Sequence, residues 1–184
     1  MLLKTKIIEE FLGDYTVNLT GRFIAKNKKL NQKTVANYLL FLEKEGIMKS
    51  KMQGKNKNYS LNLENKEITK NFILAIEHLR TMEFYKKHLI IKEVCEKIIP
   101  NIKGSALIFG SYAKGIQKKD SDLDILIIGK YNEEQIEKIG KAYNLEINLK
   151  IYPKIEKDIL ITEAIKNHIF IRDQESIVGG FIDG

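Results

Sequence analysis

The residues whose types and spacing could do chemistry lie between Ile108 and Ile128, in IFGSYAKGIQKKDSDLDILII. An apolar run breaks at Gly110-Ser111, passes through a basic polar loop, and resumes around Asp122 and Asp124. Gly110-Ser111 after a strand places free backbone N–H groups at the start of a helix, a geometry that binds phosphate. Glycine permits close approach of the backbone, and the serine hydroxyl adds a donor. Asp122 and Asp124 are two apart on a strand, so both carboxylates leave the same face. Two ionised carboxylates in an apolar strand are costly unless something pairs with them. Hard divalent cations such as Mg2+ would suit them. Gly110 and Gly115 also have the spacing of a Walker P-loop, but Ile116 stands where the lysine belongs and no Ser/Thr follows, which excludes an ordinary ATPase.

The elements that must position these residues begin near residue 104. SALIFG reads as a buried strand, SYAKG as a turn and short helix, and LDILII as a second strand. A helix (NEEQIEKIGKAY) leads to a third strand (LEINLKIY), a final helix (EKDILITEAIKNH) and a terminal extended tail (IFIRD). This order predicts an α/β (α+β) domain over residues 100–184. Before it, residues 66–99 read as a long helical linker, broken near Thr81, that could carry a dimer contact.

The first third is different. Residues 1–65 hold 12 Lys/Arg against 6 Asp/Glu, whereas the remaining 119 hold 19 against 18, so nearly all of the net +7 lies there. That asymmetry points to an anionic partner, most simply nucleic acid. LKTKIIEEFL reads as a short helix, and Thr20 opens a second one. Asn31 serves as N-cap of a third, in which Val35, Leu39 and Leu42 share one face and Gly46 ends the run. IMKSKM and NYSLN then read as a basic hairpin around QGKNK.

The remaining composition sets limits. A single cysteine, Cys95, excludes an internal disulfide and a CxxC metal site, and it reads as a small buried apolar residue. His78, His88 and His168 have no ligand spacing and read as structural or surface residues. No apolar run approaches membrane-spanning length, and acids stand where a signal peptide would have its apolar core. The expectation is a cytoplasmic protein with no membrane partner.

Phe109-Gly110-Ser111, a spacer of ten residues, and Asp122-Leu123-Asp124 between apolar residues resemble the nucleotidyltransferase superfamily that includes the polymerase β-like enzymes. The string GSYAKG…SDLDILI looks most like the minimal nucleotidyltransferases, small and mostly prokaryotic and archaeal domains, some of them antitoxin partners of HEPN proteins. The resemblance covers residues 104–172. It implies that Gly110 and Ser111 hold a triphosphate, that Lys114 offers it positive charge where relatives carry arginine, and that Asp122 and Asp124 bind Mg2+. It also implies a third metal-binding, catalytic carboxylate from a following strand. Glu146 is the best candidate, with Asn148 and Lys150 on the same face. If the position belongs to Asn148, one metal site is weakened. Lys118 and Lys119 face the triphosphate or are solvated loop charges.

The three helices and hairpin resemble the winged helix-turn-helix family over residues 18–62, on AKNKKLNQKTVANYLLFLEKEGIMKS and QGKNKNYSLN. In that family the helix opening at Asn31 reads DNA and the hairpin is the wing. Gln32, Lys33, Thr34 and Asn37 face outward on that helix, with Tyr38 at the border, and suit base edges in the major groove. Lys51, Lys55 and Lys57, with Gln53 and Asn56, suit phosphates. The combined expectation is a DNA-binding domain over residues 1–65 joined to a Mg-dependent transferase, acting as a homodimer and moving a nucleoside monophosphate, AMP from ATP or its equivalent from another nucleoside triphosphate, to an unknown acceptor. Two alternatives stay open: a non-catalytic transcriptional regulator that senses nucleotide, and an antitoxin-like partner of a separate toxin chain.

Overall fold

Side-chain caps start the helices of the basic third. The Thr20 hydroxyl accepts from the Phe23 N–H at 3.1 Å, and the Asn31 side-chain oxygen accepts from Lys33 and Thr34 at 2.9 and 3.2 Å. Each satisfies amides that have no partner inside the helix. The structure, a computed structural model, describes residues 3–155 and 158–183. It divides into two units, one of residues 3–76 with 181–183 and one of residues 77–180.

In the first unit α1 (Leu3–Leu12), α2 (Gly21–Asn27) and α3 (Gln32–Lys44) accompany a three-stranded antiparallel sheet. Its strands β1 (Leu19–Thr20), β2 (Met48–Gln53) and β3 (Asn56–Leu61) are ordered β1-β3-β2. Val35, Leu39 and Leu42 of α3 are fully buried, as their spacing predicts. β1 is too short to leave a period in the sequence.

The helix α4 (Lys66–Lys87) runs unbroken through Thr81, where the sequence predicts an interruption. The Thr81 hydroxyl donates to the carbonyl of Phe170 at 2.8 Å, so this residue is held by a distant partner and not by a local turn. The break falls at His88, before α5 (Leu89–Ile98).

The second unit is built on a four-stranded mixed sheet in the order β6-β5-β4-β7. β4 (Ile102–Ile108) is antiparallel to both β5 (Leu123–Tyr131) and β7 (Ile169–Arg172), and β6 (Ile147–Tyr152) is parallel to β5. A parallel neighbour needs a crossover, which α7 (Glu133–Ala142) supplies between β5 and β6. Ile91, Val94, Cys95 and Ile98 of α5 pack in one core with Ile108, Ile125 and Ile127 of the sheet. Each such side chain contributes roughly 1.5–3 kcal/mol through burial. Cys95 is buried as expected, and that burial pushes its thiol up to about 12.

The extended reading of IFIRD holds, its residues 169–172 forming β7, an edge strand paired to β4, but the expectation that it is the terminal element is corrected. A further helix, α9 (Gln174–Asp183), follows where the sequence reading ends, and Asp173 accepts from the Ser176 and Ser105 hydroxyls at 2.9 and 2.8 Å at its start. The helix expected over residues 156–168 begins on two residues outside the described ones. Its described part, α8, spans Ile159–Lys166 and is capped by Asp158, which accepts from the Ile161 N–H at 2.7 Å.

β7 is also tied to α4 by buried charge. Arg80 and Glu77 pair at 2.7 Å, Glu77 meets the His168 ring at 3.0 Å, and Arg80 donates to the His168 carbonyl at 3.0 Å.

Candidate active site

β4 delivers the Gly110-Ser111 turn beside the start of β5, because the two strands are antiparallel and pair Ile108 with Ile125. The Phe109 N–H donates to the Asp124 carbonyl at 3.0 Å, which locks the turn to that strand. Gly110 has φ +69°, a conformation that other residues adopt only with strain. A Cβ placed on Gly110 would overlap the Asp124 carboxylate, whose carbon would lie 2.9 Å away. The carboxylate therefore sits against the bare glycine backbone. One residue on, the Ser111 Oγ is buried and has no hydrogen-bond partner among the described residues. A buried hydroxyl without a partner is costly, and a ligand oxygen would satisfy it.

The short helix α6 (Gly110–Lys114) ends at Gly115, and the chain returns through a turn closed by Ser121, whose Oγ accepts from the Lys118 N–H at 2.8 Å. That return brings Asp122 and Asp124 onto one face at the start of β5. Burial first, and then the charge of Asp122, push the Asp124 carboxyl up, while Asn148 and the charge of Lys150 act the other way. The charge of one carboxylate thus acts on the other, and a cation between them would offset that repulsion.

Asn148 faces this pair. It stands opposite Asp124 in the parallel register of β5 and β6, and its amide donates to the Asp122 carboxylate. Glu146 lies two residues earlier, exposed, with its carbonyl accepting from the Leu123 N–H at 2.8 Å. It lines an open cleft with Lys119, Ser121 and Asn144. Among the described residues, no three His, Cys, Asp or Glu side chains converge as a metal-binding group. Lys114, Lys118 and Lys119 are exposed on α6 and the loop that follows. Tyr112 was given no role by the sequence reading. Its ring meets that of His88 edge-on at 5.8 Å, and its hydroxyl is pushed up by burial and by the charge of Asp122. Its position directly after Ser111 was the available signal.

In the first unit Gln32, Lys33 and Asn37 are exposed on α3, and Thr34 is half-buried. Lys51 and Lys55 are exposed on the hairpin. Lys57 is engaged with Glu43 at 2.7 Å, and that bond, with one from Ser50, holds the Glu43 carboxyl below its usual range. The sequence reading did not single out an aromatic patch on α3. Tyr38 and Phe41 stack at 6.1 Å, with the Lys4 ammonium 5.4 and 5.7 Å from their ring centres.

The mixed sheet, the glycine-serine turn and the paired carboxylates are those of a nucleotidyltransferase domain. Residues 88–176 match the model of the nucleotidyltransferase domain family, and the chain belongs to that family. Among its relatives are two proteins of Methanocaldococcus jannaschii. "Putative protein adenylyltransferase MJ0141" is 30% identical over 97 residues, covering 49% of this chain and 90% of the relative. "Putative protein adenylyltransferase MJ1547" is 38% identical over 69 residues, covering 38% of this chain and 55% of the relative. TrmBL2, an archaeal chromatin protein whose structure shows a novel mode of DNA binding, aligns over 100% of this chain and 90% of its own at 15% identity with a TM-score of 0.29. Among the described residues no helix is long and apolar enough to cross a membrane.

Proposed function

We propose that the unit of residues 77–180 binds a nucleoside triphosphate with Mg2+ and transfers its nucleoside monophosphate, AMP from ATP, to a hydroxyl of a protein. The observation that carries this reading is the Asp124 carboxylate seated against Gly110, one residue from the buried, unpartnered Ser111 hydroxyl. The residues fit the metal: Asp122 and Asp124 present carboxylate oxygens, hard donors, on one face. Bound there, Mg2+ would neutralise charge on the triphosphate and on the leaving pyrophosphate. The Gly110 backbone and Ser111 hold phosphate oxygens, and Lys114 adds a mobile positive charge. The acceptor oxygen bonds to the α-phosphorus as the bond to the β-phosphate oxygen breaks, and the acceptor proton leaves to solvent. ATP and a protein acceptor are favoured because both M. jannaschii relatives carry the name of protein adenylyltransferases.

Calorimetric titration of ATP with Mg2+ tests this without knowledge of the acceptor. Wild type is expected to bind only with metal present. The Asp122→Asn/Asp124→Asn double variant is expected to lose at least roughly 100-fold in affinity, since removing metal-site partners alone costs 10–100-fold. Equal binding by both proteins, or none by wild type with any of the four common triphosphates, would reject the reading.

A winged-helix role in DNA binding for the first unit is a separate proposal, with α3 in the major groove and the chain acting as a homodimer on two half-sites. It rests on the basic excess of residues 1–65 and on the exposed Gln32, Lys33 and Asn37, with Thr34 beside them and Lys55 at the hairpin; Lys57 contributes less because Glu43 holds it. Fluorescence anisotropy should show duplex affinity falling steeply with salt. Lys33→Ala/Asn37→Ala should erase preference among sequences, each lost base contact costing about 1–3 kcal/mol. Salt-independent binding, or unchanged preference in the double variant, would instead favour a protein partner on the Tyr38–Phe41 patch.

A further inference from the structure

Resting on the nucleotide-binding reading above, we infer that this chain holds its nucleotide with one divalent cation, not two, and that Asn148 sets that number. Sites with two cations place them about 3.5–4 Å apart between the attacking and leaving oxygens. They need enough anionic oxygen to hold about four positive charges together. Mg2+ accepts only oxygen lone pairs in a near-octahedral shell. Here Asp122 and Asp124 supply two carboxylates, and the residue that faces them from the neighbouring strand is an amide. Asn148 donates an N–H to the Asp122 carboxylate. That bond occupies a lone pair of Asp122 and turns a donor, not an acceptor, toward the pair. Rotating the amide to offer its oxygen would break the bond and would still provide only a neutral ligand.

Lys150 adds to this. It lies on the same face of β6 as Asn148, and its charge acts on Asp124. An amide thus faces the aspartates from the neighbouring strand where a third carboxylate would be needed to hold a second cation. Glu146 is the only other carboxylate on that face of the strand, and it is exposed and outside any three-ligand group among the described residues. One cation, held by Asp122, Asp124 and the phosphates, satisfies the charges that the site presents.

The full chain, saturated with α,β-methylene-ATP so that no transfer occurs, is titrated with Mn2+. Free Mn2+ is followed by electron paramagnetic resonance, against the analogue alone. Wild type is expected to take one Mn2+ per chain, with any second at least roughly 100-fold weaker. Asn148→Asp is expected to take two, and Glu146→Gln to remain at one. Two Mn2+ of similar affinity in wild type would overturn the inference. A fall from two to one in Glu146→Gln would assign the third ligand to Glu146. A folded Asn148→Asp protein that still takes one would remove Asn148 as the determinant. Failure of wild type to bind the analogue at all would overturn the nucleotide reading itself, and with it this inference. That failure is distinct from normal analogue binding with a second cation.

Discussion

Alanine at Gly110 is expected to weaken Mg-ATP binding by roughly 10–100-fold, whereas alanine at Gly115 is expected to leave it nearly unchanged. The two glycines share a backbone conformation, with φ +69° and +68°. A Cβ should therefore cost each site a similar strain, about 1–2 kcal/mol. Their surroundings differ. Nothing lies within 4 Å of a Cβ on Gly115, but a Cβ on Gly110 overlaps the Asp124 carboxylate. That carboxylate must move by about an ångström, and disturbing the surroundings of a metal-site ligand costs about 10–100-fold in affinity. Calorimetric titration gives the affinities, and thermal denaturation checks that both variants lose similar stability. Unchanged affinity in Gly110→Ala would separate Asp124 from nucleotide binding. Equal losses in both variants would trace the effect to backbone strain.

Glu77→Ala is expected to destabilise the chain by about 3–5 kcal/mol, the range for breaking a buried ion pair. Glu77 and His168 are each about 1% exposed on their side chains, and Arg80 is 15% exposed. Removing the carboxylate takes away the group that the Arg80 guanidinium and the buried His168 ring both contact. Urea denaturation measures the loss, and a change below 1 kcal/mol would show that the cluster adds little. The same cluster predicts a pH dependence. Burial opposes ionisation of Glu77, but the charges of His168 and Arg80 and their hydrogen bonds outweigh it and hold the carboxyl below its usual range. A depressed carboxyl contributes stability that is present above the unfolded value, about 4.3, and is lost as pH falls through the folded one. Wild type should therefore lose stability below about pH 4.3 more steeply than Glu77→Gln. Parallel acid curves would assign the loss to other carboxylates.

Much of the chemistry was legible in the chain because it is local. Caps at Thr20 and Asn31 act within three residues, and the stripe of Val35, Leu39 and Leu42 follows from helical period alone. The glycine-serine turn and the Asp122/Asp124 pair could be read as one site because only a short helix and a loop separate them. Period 2 also places Glu146, Asn148 and Lys150 on one face of the last parallel strand, but it says nothing about how far that strand slides along its neighbour. The pairing of Asp124 with Asn148 decides that, and it brings an amide to the aspartates where the sequence favoured a glutamate. The same limit applies to α4. Thr81 and Glu77 meet partners 89 and 91 residues away, so the helix continues where its own sequence suggested a break. Local pattern determines which residues share a face. Which faces meet, and in what register, is settled by packing between segments distant in the chain.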